Sequence, residues 1–203
     1  MTLLEEARVA ADTGASEAAK EADVVAAFDT FDPPEGFRAE LIGGKIVLSP
    51  TSVGLHGGLL RRLTRLFLEE RLPSGTEATT YPLTVWLPET PDGKEGYIPD
   101  LAVIDEDVMW DADHWKFTAD VIHLVVEVVS SSSKQEDRIH KPCGYASGPV
   151  PLYLLIDPVA GETTLFSDPK DGEYRTRHTA PFGGKIPFPE PFDAVLDTSI
   201  FIR

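Results

Sequence analysis

Tyr97-Ile98-Pro99-Asp100-Leu101-Ala102-Val103-Ile104 reads as a strand carrying a proline–aspartate step. Val121-Ile122-His123-Leu124-Val125-Val126-Glu127-Val128-Val129 reads as a second, apolar strand with one carboxylate sunk in it. A glutamate in so apolar a run is costly unless it is paired, protonated or holding a metal. Side chains alternate along a strand, so Glu127 and Val129 share one face and Val128 takes the other. Asp100 follows a proline, which cannot donate a ladder hydrogen bond. If the two strands are neighbours, both carboxylates converge at one sheet edge, and the Val128 carbonyl could add a third oxygen. Mg²⁺ or Mn²⁺ suits such a hard oxygen set and completes its shell with water.

Beyond Glu127, four serines (Ser130 to Ser133) read as a cap and loop, with Ser133 and Glu136 spaced as a capping box at a helix start. On that helix Asp137, Lys141 and Tyr145 are four apart and form one stripe. The stripe is open to two readings, a surface Asp137–Lys141 ion pair or a lysine aimed at the carboxylates. The helix is expected to end near Ser147-Gly148-Pro149. On the other side of the decisive strands, Phe37 to Ile42 and Lys45 to Leu48 flank Gly43-Gly44, a hairpin signal. A helix then follows Ser49-Pro50-Thr51-Ser52, with Leu55, Leu59, Leu63, Leu66 and Phe67 as its buried stripe and Arg61, Arg62 and Arg65 off it. Thr79 to Leu87 reads as one strand, Pro88 to Gly96 as a loop, and Asp105 through Trp115 as an acidic loop. Pro151 to Asp157 is a further strand, and an antiparallel meander runs from Glu162 to a short strand before Arg203. This order predicts an α/β (α+β) fold, a mixed sheet flanked by helices with an added meander. The turn cluster Asp32-Pro33-Pro34-Glu35-Gly36 divides a helical or partly disordered leader, residues 1–32, from the domain, residues 33–203.

The 203 residues are 42% hydrophobic and 26% charged, ordinary for a globular chain. No apolar stretch is long enough to span a membrane, so no membrane partner is expected. The first residues lack the basic and apolar regions of a signal peptide. The single Cys143 excludes an internal disulfide and a multi-cysteine zinc site, and the cytoplasm is the expected compartment. A formal net charge of −16 opposes nucleic-acid binding in bulk, although it does not fix the field at a site.

Taken in order, Glu40-Leu41-Ile42-Gly43-Gly44-Lys45-Ile46, Ser49-Pro50, His56, Pro99-Asp100, Glu127-Val128-Val129-Ser130, Asp137, Lys141, Tyr145, Tyr153 and Asp157-Pro158 form an informative set. Over roughly residues 24–170 the set resembles the Uma-type restriction endonucleases of the PD-(D/E)XK nuclease superfamily. The resemblance implies a restriction-endonuclease-like fold and Mg²⁺-dependent hydrolysis of phosphodiester bonds, with DNA as the partner. It makes Asp100 and Glu127 the acidic metal ligands, Glu40 an accessory acid, and Lys141 the relocated lysine, because Val129 stands where the superfamily pattern has Lys. Tyr145 would position Lys141 or contact substrate. Gly43-Gly44-Lys45 departs from the Asp-Gly-Glu type of sequence expected there.

Other features carry blander readings. His56 near a helix start is read as structural, and His114, His123, His140 and His178 lack metal-ligand spacing. Cys143 is read as a packing residue. The arginines at 61, 62 and 65 suit either a phosphate backbone or a solvated face shared with Glu69 and Glu70. Phe182, Phe188, Phe192 and Phe201 could line a homodimer surface or fill a core. Two rival functions stand beside the endonuclease: a catalytically inactive nuclease-fold binding or assembly module, and a hydrolase acting on RNA or a nucleotide.

Overall fold

The chain changes sheets at Pro99. In a computed structural model that describes residues 19–51, 54–90, 93–110, 115–130 and 133–202, strand β5 (Gly93–Tyr97) belongs to one sheet and β6 (Leu101–Asp105) to another. The stretch expected as one strand is therefore two strands with a step between them. Ile98 and Asp100 still find partners for their amides: Ile98 N–H donates to Glu40 and Asp100 N–H to the Val126 carbonyl. Pro99, with no amide proton, is the residue that needs none.

The first sheet has the order β2-β1-β5-β4-β7, from β1 (Phe37–Ile42), β2 (Lys45–Pro50), β4 (Thr84–Thr90), β5 and β7 (Lys116–Thr118). All its pairs are antiparallel except β4 with β7. The β1–β2 hairpin turns at Gly43 and Gly44, both at positive φ (55° and 67°), which glycine adopts without steric cost. The second sheet has the order β11-β10-β9-β8-β6-β3. It comprises β3 (Thr76–Thr79), β6, β8 (Ile122–Val128), β9 (Leu152–Asp157), β10 (Glu162–Lys170) and β11 (Glu173–Pro181), with β8 and β9 parallel. A small hairpin of β12 (Lys185–Phe188) and β13 (Ala194–Asp197) follows.

Two further segments of these sheets also differ from expectation. Thr79 to Leu87 is not one strand: β3 and β4 lie in different sheets, separated at exposed Tyr81 and at Pro82, which cannot continue a ladder. Pro88 to Gly96 is not a loop but mostly the β4–β5 hairpin. Residues 1–18 of the expected leader, and Ser131, Ser132 and His114, lie outside the described residues. Helix α1, residues 19–30, buries Phe28 against Ala39 and Leu41 of β1.

Helix α2 (Leu55–Leu63) runs into a π-helical stretch, Thr64–Leu68, and a last turn, Glu69–Arg71. The wider π turn rotates the later residues. Leu68 is thereby buried and Leu66 turned out, 52% exposed. Leu55 is exposed as well, so the buried stripe keeps the expected Leu59, Leu63 and Phe67 and adds Leu60 and Leu68 in place of Leu55 and Leu66. This face packs on one side of the second sheet with Leu124, Val126, Val128 and the C-terminal Phe188, Phe192 and Phe201. Those phenylalanines fill this chain's own core. The opposite side of the sheet meets the first sheet, with Val125, Val129, Tyr153 and Leu155 packed on Val85, Leu87 and Tyr97. Short helix α3 (Glu106–Trp110) follows β6, and helix α4 (Lys141–Ser147) follows β8 after a π-helical lead-in, Glu136–His140. Among the described residues no helix is long and apolar enough to cross a membrane.

Candidate active site

The site lies where the two sheets part. β8 is buried on both faces, so the sidedness of each residue is decided by strand alternation alone. Val126 and Val128 enter the core under α2, and Glu127 enters the opposite face, wholly buried. There Glu127 Oε1 accepts hydrogen bonds from Lys141 Nζ at 2.8 Å and Tyr145 Oη at 3.1 Å. Its Oε2 is buried with no hydrogen-bond partner among the described residues.

Lys141 is the hub of the cluster. Its ammonium lies 2.8 Å from Glu127, 3.0 Å from Glu40 and 3.5 Å from Asp137, with all four side chains at most 2% exposed. The surface ion-pair reading of Asp137 and Lys141 is thereby excluded. The capping box is corrected too: the Ser133 hydroxyl donates to Asp137 Oδ2 at 2.5 Å and does not cap a helical amide. The π-helical lead-in places Asp137 and Lys141 together on the buried side, and Tyr153 anchors it by donating to the Asp137 carbonyl at 2.6 Å.

Asp100 is held separately. Its Oδ2 accepts the Val128 amide at 2.8 Å, and its Oδ1 accepts from Arg38 Nη1 at 2.8 Å. His56 Nε2 approaches Oδ2 to 2.7 Å, off the line of a hydrogen bond. Glu40, beside Arg38 on β1, accepts the Ile98 amide at 2.8 Å and so ties the hairpin to the step between the sheets. Arg38 and His56 are site neighbours that residue-by-residue reading does not select. Arg38 shares a strand face with Glu40, the one local signal available. His56 stands in the ordered set above, but its contact with Asp100 is purely tertiary.

The electrostatics follow from this packing. Burial opposes ionising Asp100, and His56, Arg38 and the Val128 amide outweigh it, so its pKa is lowered. Burial likewise opposes charging Lys141, but Glu127, Glu40 and Asp137 raise its pKa, and it stays an ammonium. Burial dominates at Glu127: Lys141 pulls its pKa down, yet desolvation with Asp100 and Asp137 nearby raises it well above the ordinary value. Asp137 is raised chiefly by burial, as is Tyr145. Four carboxylates, Glu40, Asp100, Glu127 and Asp137, thus face two permanent cations, Arg38 and Lys141. The formal excess of negative charge is two before His56 is counted, which a divalent cation or added protons can cancel.

Among the described residues no three of His, Cys, Asp and Glu converge as a ready cage. The oxygens that would hold a hard cation keeping most of its waters are those of Asp100 and of Glu127, whose buried Oε2 has no partner among the described residues. Two clefts open onto this cluster. One of about 600 Å³ reaches Asp100 and Arg38 from the α2 side. The other, of about 380 Å³, reaches Glu40, Asp137, Lys141 and His56. Arg38 lines both.

Comparison with known proteins agrees with the architecture. The crystal structure of a "putative nuclease belonging to DUF820" from Anabaena variabilis ATCC 29413 superposes with a TM-score of 0.62 at 16% identity, over 86% of this chain and 94% of that one. At that identity the likeness speaks to the fold alone, the nuclease-like mixed sheets flanked by helices. No curated protein is matched. A family model, Uma2, described as "Putative restriction endonuclease", matches residues 25–199. The chain therefore belongs to the Uma2 family of restriction-endonuclease-like proteins.

Proposed function

We propose that the protein is an endonuclease that hydrolyses phosphodiester bonds in DNA, with Asp100, Glu127 and the Val128 carbonyl holding Mg²⁺ or Mn²⁺. The observation that carries the reading is Glu127: a fully buried carboxylate with one oxygen fixed and the other left without a partner, in a cluster where acids formally outnumber the permanent cations by two. Once bound, the cation supplies Lewis acidity at the scissile phosphate and lowers the pKa of a water.

The remaining work falls to side chains. Tyr145 and Lys141 hold Glu127 Oε1 and so direct Oε2 toward the ligand. The Val128 amide does the same for Asp100, aided by His56. Lys141 has three donors; two reach carboxylates within ordinary hydrogen-bond distance and the third contact, to Asp137, is long at 3.5 Å. That third proton can shift to a water or a phosphoryl oxygen without stripping the lysine of its other partners. Glu40 orients the ammonium. Arg38, 17% exposed and shared by both clefts, can meet a phosphoryl oxygen and stabilise charge as it develops.

Calorimetric titration with Mg²⁺ and Mn²⁺, run beside a supercoiled-DNA nicking assay, tests this. Wild type should take up the cation and nick DNA; Asp100→Ala should do neither. Metal uptake with hydrolysis of RNA or a nucleotide only would favour that rival substrate. DNA binding with neither metal uptake nor cleavage would favour the inactive module.

A further inference from the structure

The larger cleft is charged opposite to the molecule. The chain carries 34 acidic and 18 basic Lys and Arg side chains, yet three arginines, Arg38, Arg61 and Arg65, line this one cleft against Asp100 and Glu69. Arg38 already donates to Asp100 through Nη1. Arg61 and Arg65 are exposed, and neither has a hydrogen-bond or ion-pair partner among the described residues. They are four apart, Arg61 on α2 and Arg65 on its π-helical continuation, and both line this cleft. Arg62 is different: it donates to the carbonyls of Ile200 and Ile202 at 3.0 and 2.6 Å, tying down the C-terminus.

A second observation concerns the floor of the cleft. Gly57 lines it from inside α2, where glycine is less favourable than alanine. No packing demands it, since a Cβ there would meet no atom within 4 Å. Open space over a bare stretch of helix is what close approach by a ligand backbone requires. Thr64 and Thr80 add hydroxyl groups to the walls, which suit phosphate oxygens.

We infer that this cleft is the track for one DNA strand, in which Arg61 and Arg65 hold phosphates that flank the one lying at Asp100. The inference rests on the nuclease reading above and adds to it the route of the substrate and the residues that grip it. The local field of the arginines lets a chain of net charge −16 hold a polyanion, at the one cleft where the acid cluster is reached from this side.

The test measures binding of a short fluorescent DNA duplex to the full chain carrying Glu127→Gln, with and without Arg61→Gln and Arg65→Gln, across a range of salt. Each phosphate contact contributes about 0.9 to the slope of log affinity against log salt, so the paired substitution should lower the slope by about 1.8. In the cleaving background the same pair should raise KM with little change in kcat. Arg175→Gln, on β11 and paired with Asp171 and Glu173, should change neither. Thermal melting checks that each variant folds. Unchanged slope and KM in the Arg61/Arg65 pair, in a protein that binds and cuts DNA, would overturn the track and leave the nuclease reading standing. A folded wild type with no affinity for DNA would remove both.

Discussion

Leu63 and Lys141 are equally hidden, at 0% and 1% exposure, on opposite sides of the same sheet. Leu63 sits among Leu, Val and Phe under α2, where burial itself is the stabilising event. Lys141 sits among carboxylates, where burial is the cost and pairing must offset it. One region uses the fold's free energy to bury apolar surface. The other uses the rigidity so gained to hold charges where water cannot relax them.

The sharpest way to break this contrast is to truncate both residues. Lys141→Ala leaves Glu40, Glu127 and Asp137 buried without their shared cation, and the loss of stability should be about 3–5 kcal/mol. Lys141 is only 1% exposed, so the fold would not absorb its removal freely. Because the stranded groups are acids, the loss should grow as pH rises and shrink near pH 5, where protons can replace the lysine. Leu63→Ala should cost about 2–5 kcal/mol, the price of a cavity in a dry core, and the same at both pH values. Urea unfolding at pH 5 and pH 8 separates the two. Equal pH dependence would mean that the cluster around Lys141 is neutral, contrary to the charge state inferred here.

Glu127→Gln sharpens the contrast in the other direction. Activity should fall roughly a hundredfold or more, about 2.7 kcal/mol or more in transition-state stabilisation. Stability in chelator should rise. Burial raises the Glu127 pKa, so between its unfolded value, about 4.3, and its higher folded value the native state holds more protons than the unfolded one. Stability contributed by this group is therefore full below the unfolded pKa and declines as pH increases toward the folded pKa. Glutamine removes that decline, so the gain over wild type should be larger at pH 8 than at pH 5. Asp100 has the opposite sign: its pKa is lowered, so its contribution is present above about 3.9 and is lost as pH falls.

What the sequence makes legible follows the same division. Glu127 stands out because one carboxylate interrupts an apolar strand, and the hairpin stands out because two glycines sit between alternating runs. The Asp137–Lys141–Tyr145 stripe is visible because helical spacing is local. Arg38 and Asp100 meet across 62 positions of chain, and no local pattern encodes that contact. Leu66 and Leu68 exchange places because a π turn rotates the helix, while the spacing rule assumes a regular one. Glu95 is hidden for a different reason. Gly93-Lys94-Glu95-Gly96 has the composition of a turn, yet it forms β5, and Glu95 is 2% exposed.

Glu95 leads to the smallest expected effect, at the seam between the dry and the charged regions. Its Oε1 accepts the Gly43 amide at 2.9 Å and its Oε2 accepts from Tyr97 Oη at 2.5 Å. Tyr97 in turn packs edge-on against Tyr145, with ring centroids 5.1 Å apart, and Tyr145 donates to Glu127. Gly144 makes room for this arrangement: a Cβ there would lie 2.3 Å from Tyr97 Oη. Gly144→Ala must therefore displace the Tyr97 ring, at a cost of about 1–3 kcal/mol from overpacking. Helix propensity opposes this by up to about 1 kcal/mol in alanine's favour, so the net loss should fall at the lower end. Because the displaced ring supports Tyr145, kcat should fall while KM for DNA holds, as the Arg61 and Arg65 cleft is untouched. Tyr97→Phe removes the nearest clashing atom, so the double variant should lose less stability than the two single losses combined. Strict additivity in that double-mutant cycle would show that Gly144 does not act through Tyr97.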